Sequence, residues 1–566
     1  MHAMRYFHTV RHLKPRQLWG QVWHRVRAKF ENRARFPGRG APAFPGCRWR
    51  PLGPFLPPGR QDNTAAQMQA GTMCFVNQTQ EVGWPPAWNF QGPGKLWAYN
   101  LHYFEWLWAF GAPDEENGFA AARTLVRDWM EQYPIAPPRP GWDAYPISLR
   151  LMNWCAFFLN QHRAQTLSDA PFAQELWASI WLQAEWLSSH LEEHLLGNHL
   201  MENAAALALT GACFEGADAR RWHNTGTALL REQLAEQMLA DGLHFERSPM
   251  YHSRVLYLLL ALHNTGDDQL QDSVKPWLAP ALQALAHTTH PDGEIALLND
   301  SAFGIYNPPG ALADYARRLG LEVPAQEPGA WALPEAGYFG FREAEGNYIL
   351  CDAGAIGPDY IPGHAHADTF SFELSLRGHR VLIDSGVHDY EWSEARRHCR
   401  STAAHNTVEI DGADQSEVWG AFRVARRAYP RDVNWKPSAE GFSLTAWHDG
   451  YLRLPSKARH RRTFDYTSGG TLQVEDMVAA ARPVTCRTRL HLHPDCACTL
   501  RGENGATVTF PAGQVQLQFH GPGQLEVLEG RYHPEFHTTF KNTVLCHTWT
   551  AGPGESKSGF TLEVEG

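Results

Sequence analysis

The sequence predicts two domains of different class: a helical half, read as a toroid of helical hairpins, followed by an antiparallel β-sandwich. Apolar residues recur at three-to-four spacing from about Trp97 to Leu319, and after Pro334 the period changes to two. Length agrees, because 566 residues exceed what one hydrophobic core usually serves.

In the helical half the periodic stretches are Leu101–Trp108, Ala120–Gln132, Ser148–Gln161, Phe172–His194, Glu202–Cys213, Gly226–Leu239, Ser253–Asn264 and Leu270–His287. Turns such as Gly266-Asp267-Asp268 separate them. Helices joined by short loops can form a bundle, a solenoid or a closed toroid, and the lack of a fixed-period repeat favours the toroid over a repeat array. Beyond a Pro/Gly/Ala linker at Pro324–Glu335, strands are expected at Gly337–Arg342, Tyr348–Cys351, Thr369–Leu376, Arg380–Ile383, Thr407–Ile410, Phe442–Trp447, Thr471–Val474, Ala506–Phe510 and Val515–Phe519. Short alternating strands with Gly and Asp turns mean an antiparallel sandwich. The expected division is a basic arm over 1–89, a helical domain over 90–325 and a sandwich over 335–566.

Composition narrows the partners. A formal charge of -10 argues against nucleic acid, and no apolar run is long enough for a membrane span. Residues 1–60 depart from that balance, with 13 Lys/Arg against the single acid Glu31. They lack the apolar core of a secretory signal, so the default compartment is the cytoplasm. The arm is expected to lie on the acidic body, with a polyanionic glycan or a membrane surface as the alternative contact. The ten cysteines show no metal spacing and read as buried small hydrophobes. The 22 tryptophans cluster in Trp84–Trp108 and Trp129–Trp186; each alone is a core residue, but together they suggest a carbohydrate groove.

The chemistry centres on Gly363-His364-Ala365-His366-Ala367-Asp368. Residues two apart on an extended backbone project to one side, which brings His364 and His366 together. Asp384 ends a strand and His405 follows the next loop, so His366, Asp384 and His405 can close on one ion. Two imidazoles and a carboxylate with a position left open suit Zn2+ better than calcium or magnesium. In the helical half, Asn198 and His199 sit where a helix begins, and His199 shares a face with Glu202. Ser248-Pro249 opens another helix and places Tyr251 in its first turn.

Together these motifs resemble the heparinase II/III-like polysaccharide lyases: Asn198-His199 with Glu202, Ser248-Pro249 with Tyr251, His364 and His366 with Asp368, Asp384 with Gly386, and Ala404-His405-Asn406-Thr407. The stretches around Tyr99 and His102, and around Tyr145, Arg150, Asn153 and Trp154, are similar to the family's helical half, especially in members found with bacterial exopolysaccharide genes. The resemblance spans roughly residues 90–560. It implies an incomplete (α/α) toroid against a β-sandwich, a cleft between them, and β-elimination on a uronate polysaccharide. It also implies that Asn198 and His199 neutralise the substrate carboxylate, that Tyr251 and His364 are the acid–base pair, that Glu202 supports them, and that His366, Asp384 and His405 hold a structural zinc. Tyr99, His102, Tyr145, Arg150, Asn153, Trp154, Arg254, Tyr390 and Arg400 are expected to contact substrate. Exported relatives imply a periplasmic or secreted site, against the default above.

The uronate C5 proton is hard to remove because the adjacent carboxylate is already negative, so donors from Asn198 and His199 would stabilise an enolate-like intermediate. Tyr251 needs a cationic neighbour, Arg254 or His364, to become a base near neutrality. For the opposite C5 epimer His364 is the base and Tyr251 the acid. A glycoside hydrolase using two of Asp143, Glu202, Glu246 and Asp300 is one alternative, and a non-catalytic glycan-binding or polymer-assembly protein is another. The thin supply of Lys/Arg in the helical half disfavours a densely sulfated polymer.

Overall fold

The computed structural model describes residues 2–30, 40–111, 116–136 and 139–565. Helices occupy the chain as far as Pro309–Arg318, and the strands from Gly329–Leu333 onward are antiparallel, giving the toroid and the sandwich. Among the described residues no helix is long and apolar enough to cross a membrane.

The inner helices of the toroid are apolar on every side. Gly197–Cys213 and Pro249–His263 are buried almost throughout, because each is ringed by other helices. Gly197–Cys213 packs tightly on Ala217–Gln237, since a Cβ at Gly211 or Gly226 would lie 2.4 Å from a backbone nitrogen of the facing helix. Ser248 caps Pro249–His263 by accepting a hydrogen bond from the Tyr251 amide at 3.2 Å, and Pro249 occupies the first turn. The tryptophan clusters are chiefly core: Trp97, Trp129, Trp154 and Trp177 are buried beneath the cleft wall.

The sandwich comprises three large sheets, with Val418–Trp419 and Arg423–Val424 forming a separate two-stranded ribbon. Five strands from Gly329–Leu333 to His379–Leu382 form a sequential meander; eight-stranded and four-stranded sheets complete it. One apolar core joins all three, with Phe372, Phe464 and Leu545 as representatives. The expected strand Thr369–Leu376 begins only at Phe372, because Phe370 takes a left-handed φ of 68° and breaks the extended run. Six further long strands, among them Arg459–Thr467 and Phe540–Ala551, escape an apolar count; in Arg459–Thr467 polar residues on alternate, solvent-facing positions hide it.

The basic arm bridges both halves; its residues 31–39 lie outside the described chain. Arg16 pairs with Glu193 at 2.8 Å and Glu232 at 2.6 Å on the helical side, and Lys14 with Glu236. On the other side Gln17 donates to the Tyr360 carbonyl at 3.1 Å, and Tyr6 meets Trp419 edge-on with centroids 4.8 Å apart.

Candidate active site

A cleft of ≈ 2290 Å³ runs between the halves. Its helical wall includes Tyr99, Tyr145, Asn198, His199, Glu246 and Tyr251, its sandwich wall His364, Tyr390 and Phe422, and the arm adds Leu13 and Trp23. Tyr251 and His364, on different domains, lie ring against ring with centroids 4.0 Å apart, and the Tyr251 and Tyr390 hydroxyls are 3.0 Å apart. Burial, reinforced by Tyr390, pushes Tyr251 well above the usual phenol range. Tyr251 therefore rests as a neutral phenol.

The expected help from Arg254 is absent. Its guanidinium is buried and grips Glu202 with two hydrogen bonds, 2.6 and 3.2 Å, with Glu105 3.5 Å away. Glu202 and Arg254 thus form an ion pair behind the wall rather than a pair of cleft groups. His102, Arg150, Asn153, Trp154 and Arg400 are also buried off the cleft, which corrects the expectation that they contact substrate. Arg150 binds Gln183 and the carbonyls of His102 and Gly141, so it ties helices together. Arg400 donates to the Ala365 carbonyl at 2.9 and 3.1 Å and clamps the histidine loop from behind. Tyr99, Tyr145 and Tyr390 do line the cleft.

The two cleft histidines have different supports, neither legible beforehand. His199 Nδ1 lies 3.1 Å from Glu192 Oε1, with Tyr145 packed on its ring at 4.5 Å. Burial alone would lower the His199 pKa, but Glu192 outweighs it and raises it. His364 Nδ1 lies 2.9 Å from Asp300 Oδ2, while His366 Nε2 takes the other oxygen at 2.8 Å. The two histidines do converge, and they meet on Asp300. Burial would raise Asp300, yet Arg396 and the two imidazoles hold it well below the usual carboxylate range. Arg396 is itself fully buried and reaches both Asp300 oxygens. Glu246 faces His364 Nε2 at 3.8 Å, and its buried carboxylate also has the Asn198 backbone amide beside it. Burial raises its pKa, opposed by His364 and His199.

His366, Asp384 and His405 gather in the buried layer behind His364. Their rings and carboxylate suit a zinc ion: His366 Nδ1 and His405 Nε2 are buried without partners, the His366 and His405 ring centroids are 5.4 Å apart, and Asp384 sits 2.7 Å from His405 Nδ1. Asp368 adds an unpartnered buried oxygen. As placed, these donors do not all approach within 4.8 Å; among the described residues the group that does is His388, Asp389 and His537.

A toroid and a sandwich meeting over a tyrosine–histidine cleft define a two-domain class in which the working groups come from both halves. Residues 78–306 match the heparinase II/III N-terminus and residues 325–557 the heparinase II/III-like C-terminal domain. The chain therefore belongs to the heparinase II/III-like family. A heparin-sulfate lyase of Pedobacter heparinus is 28% identical over 217 residues, covering 34% of this chain and 33% of that protein. Another, of Bacteroides stercoris, is 22% identical over 345 residues, 56% and 49% of the two. The chain thus spans between a third and about half the length of these curated relatives. The crystal structure of a heparinase III superposes with a TM-score of 0.71 at 17% identity, covering 85% of this chain and 79% of that one. A mutant of the heparan sulfate lyase HepC of Pedobacter heparinus gives 0.62 at 20% identity, covering 88% and 82%.

Proposed function

We propose that this protein is a polysaccharide lyase that cleaves a uronate-containing polymer by β-elimination. The observation that carries the reading is the 4.0 Å stacking of Tyr251 on His364 across the domain boundary, in the cleft that also holds Asn198 and His199. His199, whose protonated form Glu192 favours, and Asn198 bind the uronate carboxylate and stabilise the charge that builds on it as C5 loses its proton. His364, oriented by Asp300, takes the C5 proton where it faces the sandwich side, and the Tyr251 phenol protonates the departing O4. For the opposite epimer Tyr251 acts as base once its own phenol proton has left to His364, the ring packed against it; the phenolate then takes the C5 proton and returns it to O4. Glu246, on the cleft lining, accepts from a substrate hydroxyl. A zinc ion held by His366, Asp384 and His405 would supply rigidity to the loop that carries His364.

Of the four carboxylates of the hydrolase alternative, Glu202 and Asp300 are each tied to a buried arginine, which leaves it Asp143 and Glu246 on the cleft lining. For the substrate, a carboxylated exopolysaccharide or a lightly sulfated glycosaminoglycan fits better than a densely sulfated one. The described lining carries three Lys/Arg (Arg60, Lys95, Arg423) against seven acids (Asp62, Glu105, Asp143, Glu192, Glu193, Glu246, Glu391). Trp392, 56% exposed on the lining, offers a face for a sugar ring. The test is a panel of uronate polymers followed by ultraviolet absorbance. A lyase leaves an unsaturated uronate that absorbs; new reducing ends without absorbance would replace this reading with hydrolysis.

A further inference from the structure

Behind Tyr390, facing away from the substrate, two segments distant in sequence are laced together. The His537 amide donates to the His388 carbonyl at 2.8 Å and the Val387 amide to the His533 carbonyl at 3.2 Å. Gly386 permits this approach: it has φ 72°, and a Cβ there would lie 2.1 Å from the His533 carbonyl oxygen. We propose that His388, Asp389 and His537 form a second divalent-cation site of the zinc type, sharing no residue with His366, Asp384 and His405, which fixes the Tyr390 loop to the segment that follows Tyr532.

One donor atom from each of the three lies within 4.8 Å of the others. They are free to bind. Neither ring nitrogen of His537 has a hydrogen-bond partner among the described residues, and Asp389 receives only the Ser393 hydroxyl, 3.2 Å from each oxygen. His388 Nε2 stands 3.8 Å from Asp389 Oδ2, too far for a hydrogen bond but suited to two ligands sharing an ion. The far nitrogen, His388 Nδ1, is occupied by the Thr539 hydroxyl at 3.4 Å, and the same hydroxyl lies 3.1 Å from Nδ1 of the buried His533. This outer contact turns Nε2 toward Asp389, the arrangement by which outer partners orient metal-bound imidazoles. His537 holds a left-handed φ of 57°, a conformation that costs a non-glycine residue about 1 kcal/mol and needs a compensating interaction.

Rings of His533 and His537 lie 4.9 and 5.4 Å from that of His388, so imidazoles crowd this one point between the two segments. Two nitrogens and one oxygen favour zinc or a similar borderline ion over magnesium or calcium, with a fourth position for water. Side-chain exposures of 22% for His388 and 10% for Asp389 leave a path of entry. Tyr390 is the next residue, and its ring packs on Phe536 at 4.9 Å, so an ion here would hold both flanks of that tyrosine.

The test uses the full chain, stripped with chelator and reloaded with Co2+, whose visible absorption reports imidazole ligation. His537→Gln and Asp389→Asn should each bind one equivalent fewer than the parent and lose part of that absorption, while His366→Gln should keep it. His537 is half-buried and Asp389→Asn is isosteric, so both variants should fold, which far-ultraviolet circular dichroism checks. Equal cobalt stoichiometry and spectra in the parent and both variants would overturn the proposal. The count needs no turnover, so it stands or fails separately from the lyase reading.

Discussion

The two walls of the cleft use the same device for different ends. On the helical wall His199 leans on Glu192, whose charge is met, among the described residues, by the His199 ring, an Asn203 amide and the nearby His194 rather than by an arginine. On the sandwich wall His364 leans on Asp300, whose charge is already matched by Arg396. A carboxylate without a cation raises its histidine toward the protonated form, whereas one already neutralised mainly sets the direction of the ring. On the lyase reading proposed above, a pair of His–carboxylate contacts of nearly equal length, 3.1 and 2.9 Å, would separate into an anion binder and an oriented acid–base group. The balance of the second layer decides the role, not the histidine.

The sharpest way to break that comparison is to remove the group on which both walls act. Tyr251→Phe keeps the ring that stacks on His364 but removes its hydroxyl. Turnover should fall by roughly 10²–10⁴-fold while binding of a uronate oligomer, followed by tryptophan fluorescence, changes little; surviving turnover would end the assignment. Asp300→Asn comes next. It leaves Arg396 buried without its counter-charge and frees both His364 and His366, so urea unfolding should show a loss of about 3–5 kcal/mol. If stability holds and only turnover falls, Asp300 orients without supporting the fold.

Glu192→Gln probes the other wall more gently. It should lower kcat/KM by about 10–100-fold, the range for outer partners of working histidines. The sign of its pH effect follows from the raised His199. That group's folded pKa exceeds its unfolded value near 6.5, so its contribution is complete below that value and fades as pH rises through the folded one. The basic limb of the activity profile should therefore move to lower pH in the variant; an unmoved limb would assign it to another group. Smallest is Arg16→Ala in the arm, whose ion pairs are more than a third exposed. Its cost should not exceed about 1 kcal/mol, and a larger drop in thermal unfolding would make the arm part of the cleft's frame.

Much of this was readable along the chain. Periodicity placed the helices, and the turn chemistry at Ser248-Pro249 put Tyr251 at a helix entry where its hydroxyl can reach the cleft. Ordered motifs marked Asn198, His199 and His364 as one group. The misses share a cause. Glu192 comes to His199 only because the loop before the helix Gly197–Cys213 folds back, Arg396 reaches Asp300 across 96 positions, and Trp392 and Trp23, outside the denser clusters, join Trp106, Trp142 and Trp186 of those clusters on the cleft lining.

By itself, then, the sequence determined the two domain classes and most of the side chains that meet in the cleft, because hydrophobic period and turn residues are local properties. Tertiary structure alone decided which charges sit behind them: whether an arginine such as Arg254 or Arg400 faces substrate or braces a loop, and which carboxylate keeps its field. Those outcomes depend on burial and on separations of a few ångströms between residues far apart in the chain, where electrostatic strength is set.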